Sequence, residues 1–367
     1  MENLEEIRKE VDAVDAQLAP LFERRMELIR RIAAYKKAHG LGVSDPAREQ
    51  NVVLRGAERV KDRDIREYYV SFQQEMIALS RDWQRRLNSG LRVAYSGVPG
   101  AFAYIAALRL YPGAELVSYP GFEQAYQACE AGEADVAVLP FENSSAGEVA
   151  SVTDLMFNGS LYVNQVIEVE AEQNLLGLPG ADRSQIRKVY SHPQALAQCD
   201  EYIQRNGFIV KEYANTALAA KHVAEKQDAT CAAIGSAESA AIYGLEVLEP
   251  RINTSRTNTT RFAAFSRMLR LDKENKRKMD KHFILMYTVK NEAGALAQTL
   301  NIIGAHNFNM YNLHSRPMKE LLWNYYFFVE LDGDIATDEG SSLLRELAPL
   351  CDRLKLVGSY PAGGRQA

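Results

Sequence analysis

Apolar residues near the start of the chain fall at Leu4, Ile7, Val11, Val14, Leu18 and Leu21, then at Leu28, Ile32 and Tyr35. This three-four alternation draws one stripe along a long amphipathic helix. Pro20 lies inside it and lacks the N–H that would bond back to Ala16, which predicts a kink. Gly40 and Gly42 stop the helix, and Asp45 followed by Pro46 reads as the N-cap and first-turn proline of a second, reaching about residue 61. A third helix is expected over about 64–87, closed by Asn88-Ser89-Gly90.

Beyond Gly90 the period changes. Short apolar runs at 92–95, 135–139, 188–190 and 232–234 alternate with helical stretches near 101–110, 122–131, 195–205 and 215–226, which predicts α/β layers. This segment closes near Phe265. The charged stretch 270–281, with Lys276-Arg277-Lys278, reads as a solvated linker. From Phe283 the order strand, helix, strand, strand, helix, strand is ferredoxin-like. The expected fold class is multidomain: an all-α domain at 1–88, an α/β domain at 91–267 and an α+β domain at 282–362.

Composition narrows the function. The 367 residues are 47% apolar and 25% charged, enough for two or three cores, which excludes a disordered or fibrous chain. A net charge of -5 opposes polyanions, so no nucleic-acid partner is expected. The four cysteines lack paired spacing, which suggests neither a disulfide framework nor a zinc site, and no metal or organic cofactor is called for. No basic-then-apolar leader opens the sequence, and no run approaches the roughly 18 apolar residues of a membrane span. A cytoplasmic protein with no membrane partner is expected.

Arg25 interrupts the helical stripe where packing asks for Leu, and an unpaired charge there would be costly. Either it snorkels or pairs with an internal carboxylate, or it serves an anion. Lys36 lies 11 residues on, close to three turns, on nearly the same face. Arg48 and Glu49 follow the Asp45 cap, and Ser80 and Gln84, spaced i, i+4, point one way. Cations and neutral donors so arranged can converge on a small dianion.

Together Arg8, Arg25, Lys36, Asp45, Arg48, Glu49, Ser80 and Gln84 match the pattern of the all-helical chorismate mutases, which residues 1–88 resemble. The resemblance implies an intramolecular Claisen rearrangement of chorismate to prephenate, with no nucleophile or proton shuttle. By it, Arg8, Arg25 and Arg48 grip the carboxylates, Glu49 and the Asp45 backbone hold the ring hydroxyl, and Lys36 with Gln84 donates to the ether oxygen. Ser80 is an accessory donor. Arg8 and Arg25 are about 25 Å apart along one helix, with directions differing by roughly 100°. Arg8 is therefore expected to serve the site of a partner chain in a helical dimer.

Three polar clusters in the middle segment follow apolar runs, where open α/β sheets place ligands. Each alone also reads as a helix cap or a surface cation. Pro140-Phe141-Glu142-Asn143-Ser144, Ser191-His192-Pro193-Gln194 and Thr260-Arg261-Phe262 together resemble the prephenate dehydratases over 91–267. The resemblance implies two lobes like a periplasmic binding protein and loss of hydroxide and carbon dioxide from prephenate. By it, Thr260 is the donor at the leaving hydroxyl and Asn143 and Gln194 position and polarise. Glu142, Ser144 and Arg261 bind substrate, with Arg261 on a carboxylate. The glycine-rich loop at 97–102 departs from the family pattern with Ala103 and Tyr104 after it, and Gln173 stands where His is frequent. The loop lacks Gly-x-Gly-x-x-Gly, which disfavours a nicotinamide-dependent dehydrogenase.

Residues 283–361 resemble an ACT domain, through Gly294-Ala295-Leu296 at a helix start and His314-Ser315-Arg316-Pro317 at a strand end. The resemblance implies phenylalanine as effector, bound by Gly294, Ala295, Leu296, Ser315 and Arg316, in a homodimer or homotetramer. His314 replaces the usual Glu, which is expected to add pH sensitivity. The competing class is a non-catalytic two-lobed ligand sensor with an amino-acid-binding module. Lys36, Gln84, Asn143 and Thr260 argue against it, because binding alone needs no donors at the ether and the leaving hydroxyl. An amide donates at any pH but a carboxyl does so only when protonated, so Gln84→Glu is expected to shift mutase activity toward acid. A pH-rate profile identical to that of the wild type would remove Gln84 from the ether oxygen.

Overall fold

The computed structural model describes residues 3–254, 258–271, 281–318 and 324–362. Most of the expected linker, 272–280, lies outside the described residues. The chain divides into two compact units, Met1–Arg92 and Val93–Ala367.

The first unit is three helices, α1 (Leu4–Ala38), α2 (Pro46–Arg59) and α3 (Arg66–Ser89). Asn3 caps α1 by accepting from the Glu5 N–H, and Asp45 caps α2 by accepting from the Arg48 N–H at 3.0 Å. Helix α1 runs unbroken through Pro20. Helices α1 and α2 both pack on α3. Among the described residues of this unit, Ala33, Gly56, Ser80 and Gln84 are the buried ones. Every apolar stripe residue of α1, from Leu4 to Tyr35, is exposed in the single chain.

The second unit opens with a lobe built from β1 (Arg92–Ser96), α4 (Phe102–Leu110), β2 (Glu115–Tyr119), α5 (Phe122–Glu130), β3 (Val136–Asn143), β4 (Gly147–Glu148), α6 (Ala150–Asn158) and β5 (Tyr162–Glu170). The chain then crosses to a second lobe: β6 (Asn174–Gly177), β7 (Lys188–Ser191), α7 (Pro193–Gln198), α8 (Asp200–Asn206), β8 (Ile209–Glu212), α9 (Thr216–Lys226), β9 (Cys231–Gly235), α10 (Ala237–Tyr243) and β10 (Glu246–Glu249). It returns to the first lobe as β11 (Thr259–Ser266), which pairs antiparallel with both β3 and β5. The second lobe's sheet has the order β10-β6-β9-β7-β8. The expected helix at 195–205 is two helices broken at Cys199, whose backbone conformation is not helical.

The C-terminal segment follows the expected order: β12 (Lys281–Val289), α11 (Ala295–Ala305), β13 (Asn309–Pro317), β14 (Tyr325–Asp332), α12 (Asp338–Leu347) and β15 (Cys351–Pro361). Its sheet joins that of the first lobe, where Gly358 of β15 pairs in parallel with Val163 of β5. Among the described residues the result is one ten-stranded sheet, β13-β14-β12-β15-β5-β11-β3-β1-β2 with β4 on β3. Strand alternation gives β12 two apolar faces. Phe283, Leu285 and Tyr287 cluster with α11 and α12 residues such as Ile303 and Leu343, whereas Ile284 and Met286 share a core with Phe141, Met156, Phe157 and Phe265 of the first lobe. Lys355 adds a polar tie: its Nζ donates to the Met156 and Gly159 carbonyls at the end of α6.

No helix among the described residues is long and apolar enough to cross a membrane. Cys129, Cys199, Cys231 and Cys351 are free thiols.

At the sheet junction a Cβ on Gly358 would press into the Val163 backbone, coming within 2.7 Å of its nitrogen. Backbone cannot rotate away as a side chain can, so Gly358→Ala is expected to cost about 1–3 kcal/mol. Calorimetry of the full chain reads this as a lower melting temperature for the second unit. An unchanged melt would show that β15 and β5 do not press together there.

Candidate active site

In the first unit Ser80 is the meeting point. Its hydroxyl accepts from Arg25 Nη1 and donates to the Met76 carbonyl one turn back, at 2.6 Å. Gln84 Nε2 donates to the Ser80 carbonyl at 3.3 Å, and Gln84 Oε1 is buried without a protein partner. Burial pushes the Arg25 guanidinium below its ordinary pKa. Arg25, Ser80 and Gln84 are therefore together. A second group forms at the start of α2, where Glu49 accepts from Arg81 at 3.2 Å and from the Asp45 N–H at 3.5 Å. Arg48 is exposed beside it. Lys36 donates from Nζ to the Val43 carbonyl in the turn before α2. Arg8 stands apart, exposed and paired with Glu5 at 3.3 Å.

In the second unit Asn143, at the end of β3, lies opposite Thr260 on β11. Its Oδ1 accepts from the Ser145 and Ala146 N–H groups at 3.0 and 2.9 Å, which fixes the amide orientation. Its Nδ2 donates to Asn258 Oδ1 and Thr260 Oγ1, both at 2.9 Å. The Thr260 hydroxyl is thus an acceptor from Asn143 among the described residues. Ser144 accepts at Oγ from the Thr259 N–H at 2.9 Å, tying loop to strand. Gln194 is exposed in the first turn of α7, where its N–H donates to His192 Nδ1 at 3.2 Å.

Arg261 departs from the expectation that it binds a substrate carboxylate. Its Nη1 donates to Glu142 at 2.7 Å and to Glu330 at 2.9 Å, and its Nη2 donates to Glu330 at 2.6 Å and to the Tyr360 hydroxyl at 3.2 Å. The guanidinium also lies over the Phe141 and Tyr311 rings, at 4.7 and 5.4 Å from their centres. Burial pulls its pKa down, but pairing with Glu330, then Tyr360 and Glu142, lifts it above the ordinary value. A substrate carboxylate would have to displace Glu330, which is fully buried. Glu142 is likewise engaged, accepting from Arg261 and from Asn312 at 3.1 Å.

A cavity of about 550 Å³ lies between the lobes, lined by Glu168, Glu170, Glu172 and Glu238 with Arg109 and Thr259. Arg109 is paired with Glu238 at 2.7 Å. Four carboxylates against one guanidinium give this lining a negative balance. The lobes also meet where Ser239 Oγ donates to the Gly100 carbonyl at 2.9 Å and the Tyr243 hydroxyl to the Pro99 carbonyl at 2.7 Å. Gly100 has φ +88°, and a Cβ there would strike Ser239, so this loop position needs glycine. Ala103 is buried, Tyr104 packs edge-on to Tyr95, and Gln173 is buried with its Nε2 toward Gln198 at 3.4 Å.

At the expected effector site Gly294 takes φ +85° and its carbonyl accepts from the Gln298 N–H at 3.0 Å; Ala295 and Leu296 follow in the first turn of α11. Ser315 is exposed on β13. Arg316 points elsewhere: it pairs with Glu148 at 2.7 Å and Asp154 at 3.1 Å in the first lobe, so a free guanidinium for an effector carboxylate is not what the structure holds. His314 Nε2 lies 2.7 Å from Glu148, with its ring stacked on Phe328. Burial pushes its pKa down against the opposing pull of Glu148 and Glu142. Among the described residues no group of three or more His, Cys, Asp or Glu could hold a metal ion. Sequence reasoning missed Glu330, Tyr360, Asn312 and Arg81; a lone carboxylate in the apolar run Phe327-Phe328-Val329-Glu330-Leu331 was the signal for the first.

The family model for prephenate dehydratase matches residues 93–269, and that for type II chorismate mutase matches residues 7–85. Arogenate dehydratase 1 of Petunia hybrida is 33% identical over 290 residues, 74% of this chain and 67% of that protein. The bifunctional chorismate mutase/prephenate dehydratase of Aquifex aeolicus is 29% identical over 98% of both chains. The prephenate dehydratase of Arthrobacter aurescens, solved in complex with L-Phe, superposes with a TM-score of 0.67 at 27% identity, over 76% of this chain and 92% of that one. The two lobes, the paired Asn143 and Thr260 and these likenesses place the chain in the prephenate dehydratase family, with a type II chorismate mutase segment ahead of the dehydratase part.

Proposed function

We propose that the chain is a bifunctional enzyme of phenylalanine biosynthesis that converts chorismate to prephenate in its first unit and prephenate to phenylpyruvate in its second. Family membership favours this reading over a non-catalytic ligand sensor. The observation that carries it is the hydrogen-bonded pair of Asn143 and Thr260. Prephenate aromatises when its ring carboxylate leaves as carbon dioxide and that bond's electrons enter the ring, expelling hydroxide from the opposite carbon. With its oxygen held by Asn143, the Thr260 O–H hydrogen-bonds the departing hydroxide, while Gln194 closes on the substrate from the second lobe.

The mutase reaction needs only a compact conformer and positive charge at the breaking ether bond. Arg25, Ser80 and Gln84 supply one group of donors and Arg48, Glu49 and the Asp45 backbone another, with Lys36 from α1. The exposed apolar stripe of α1 supports a second copy of the chain as its cover, which brings the partner's Arg8 to the site. The C-terminal segment acts as an ACT module that binds phenylalanine at Gly294–Leu296 and Ser315, within a homodimer or homotetramer. Its βαββαβ order and the L-Phe complex of the Arthrobacter protein support this reading.

Thr260→Ala is expected to abolish phenylpyruvate formation while prephenate still accumulates from chorismate. Loss of both activities in the same sample would instead point to misfolding of the variant. Mixing Arg8→Ala chains with Arg25→Ala chains should restore part of the mutase rate, since one site in each heterodimer is then intact. No recovery in verified heterodimers would refute the shared site.

A further inference from the structure

Neighbouring strand residues point to opposite faces of a sheet. On β3 and β11 this separates two pairs that sit side by side. Asn143 faces Thr260 across the strands, and Glu142 faces Arg261. The first pair carries the chemistry proposed above. The second turns toward the C-terminal module, which meets it with Glu330 from β14, Tyr360 from β15 and Asn312 from β13.

The Arg261 guanidinium is held through both terminal nitrogens, while its Nε is buried without a partner. Two hydrogen bonds to Glu330 set its plane, a third bond to Glu142 sets its rotation, and the Phe141 and Tyr311 rings hold it from its faces. Glu330 is itself fully buried and also accepts from Tyr360. A buried carboxylate and guanidinium cannot part without leaving an uncompensated charge, so the pair moves as one body. Displacing Glu330 then displaces the backbone of Arg261 and with it Thr260, one residue away.

We infer that Glu330, although it lies in the C-terminal module, is a positioning residue of the dehydratase reaction, acting through Arg261 on the placement of the Thr260 hydroxyl. Arg261 is on this account a strut and not a ligand of the substrate. The inference rests on the dehydratase reading of the second unit.

The test uses the full-length chain, with phenylpyruvate formation from prephenate, the mutase rate and thermal unfolding all measured on the same samples. Glu330→Gln keeps the shape but removes the charge, and it should lower dehydratase kcat about 10-fold or more with KM within about two-fold, since misplacement acts on the reacting geometry. The mutase rate should stay at the wild-type value. Arg261→Lys should lose kcat in the same way, and the double variant should lose no more than the worse single one, because the two residues act as a unit. Tyr360→Phe, which leaves the ion pair in place, should give a smaller loss in kcat. If Glu330→Gln does not fold, Tyr360→Phe decides, and an unchanged kcat there overturns the inference. So do multiplicative losses in the double variant, or an Arg261→Lys loss confined to KM, which would return Arg261 to the substrate. A wild-type chain that forms no phenylpyruvate would instead defeat the dehydratase reading itself.

Discussion

A guanidinium enclosed by protein must be matched in charge, and the second unit is organised around one such requirement. Arg261 emerges from an interior strand, β11, whose neighbour β3 supplies one carboxylate, Glu142. The other comes from Glu330, a residue of the C-terminal module. Removing either partner would strand a buried charge, a penalty larger than the net contribution of the pair when complete. The packing of the module's sheet against Phe141, Met156 and Phe157 follows the same geometry, because the face that delivers Glu330 also delivers Phe328 and Tyr326. Apolar burial supplies the drive for docking, and the ion pair fixes where the docking stops.

The parts of this arrangement that were legible in the sequence are local. The helix start at Asp45 is carried by a side chain three residues from the backbone N–H it satisfies, and the βαββαβ order follows from the period of each segment. The polar clusters at 142–145 and 258–262 were legible as well, and the structure brings Asn143 to Thr260. The role of Arg261 was not. Its motif promised a cation near a ligand, but its partner lies 69 residues on, and strand pairing across that separation leaves no periodic trace. Arg316 escaped for the same reason, since its acceptors Glu148 and Asp154 lie more than 160 residues earlier. Strand β5, Tyr162–Glu170, is interrupted by Asn164, Gln165, Glu168 and Glu170, the last two lining the cavity at its cleft end.

The first unit shows the opposite balance. Four buried residues among those described, two of them the polar Ser80 and Gln84, are a small interior for a helix of 35 residues and its two neighbours. Isolated helices of this kind gain most of their stability from covering an amphipathic face, and the stripe from Leu4 to Tyr35 is left exposed by the described residues of its own unit. The polar pair sits where α1 meets α3, so what interior the unit has is built around donors and not around bulk. A fold whose apolar surface faces outward and whose polar groups face inward is suited to enclosing a charged guest once a second surface closes over it.

The junction of β15 with β5 sets where such a chain could be divided by genetic exchange. A crossover at Gly90, where α3 ends, severs no strand pairing of the second unit. One placed in the 272–280 segment would strip β5 of its neighbour β15, uncover Phe141 and Met156 and remove the lysine that closes the end of α6. The two parts joined through one sheet must therefore be inherited together.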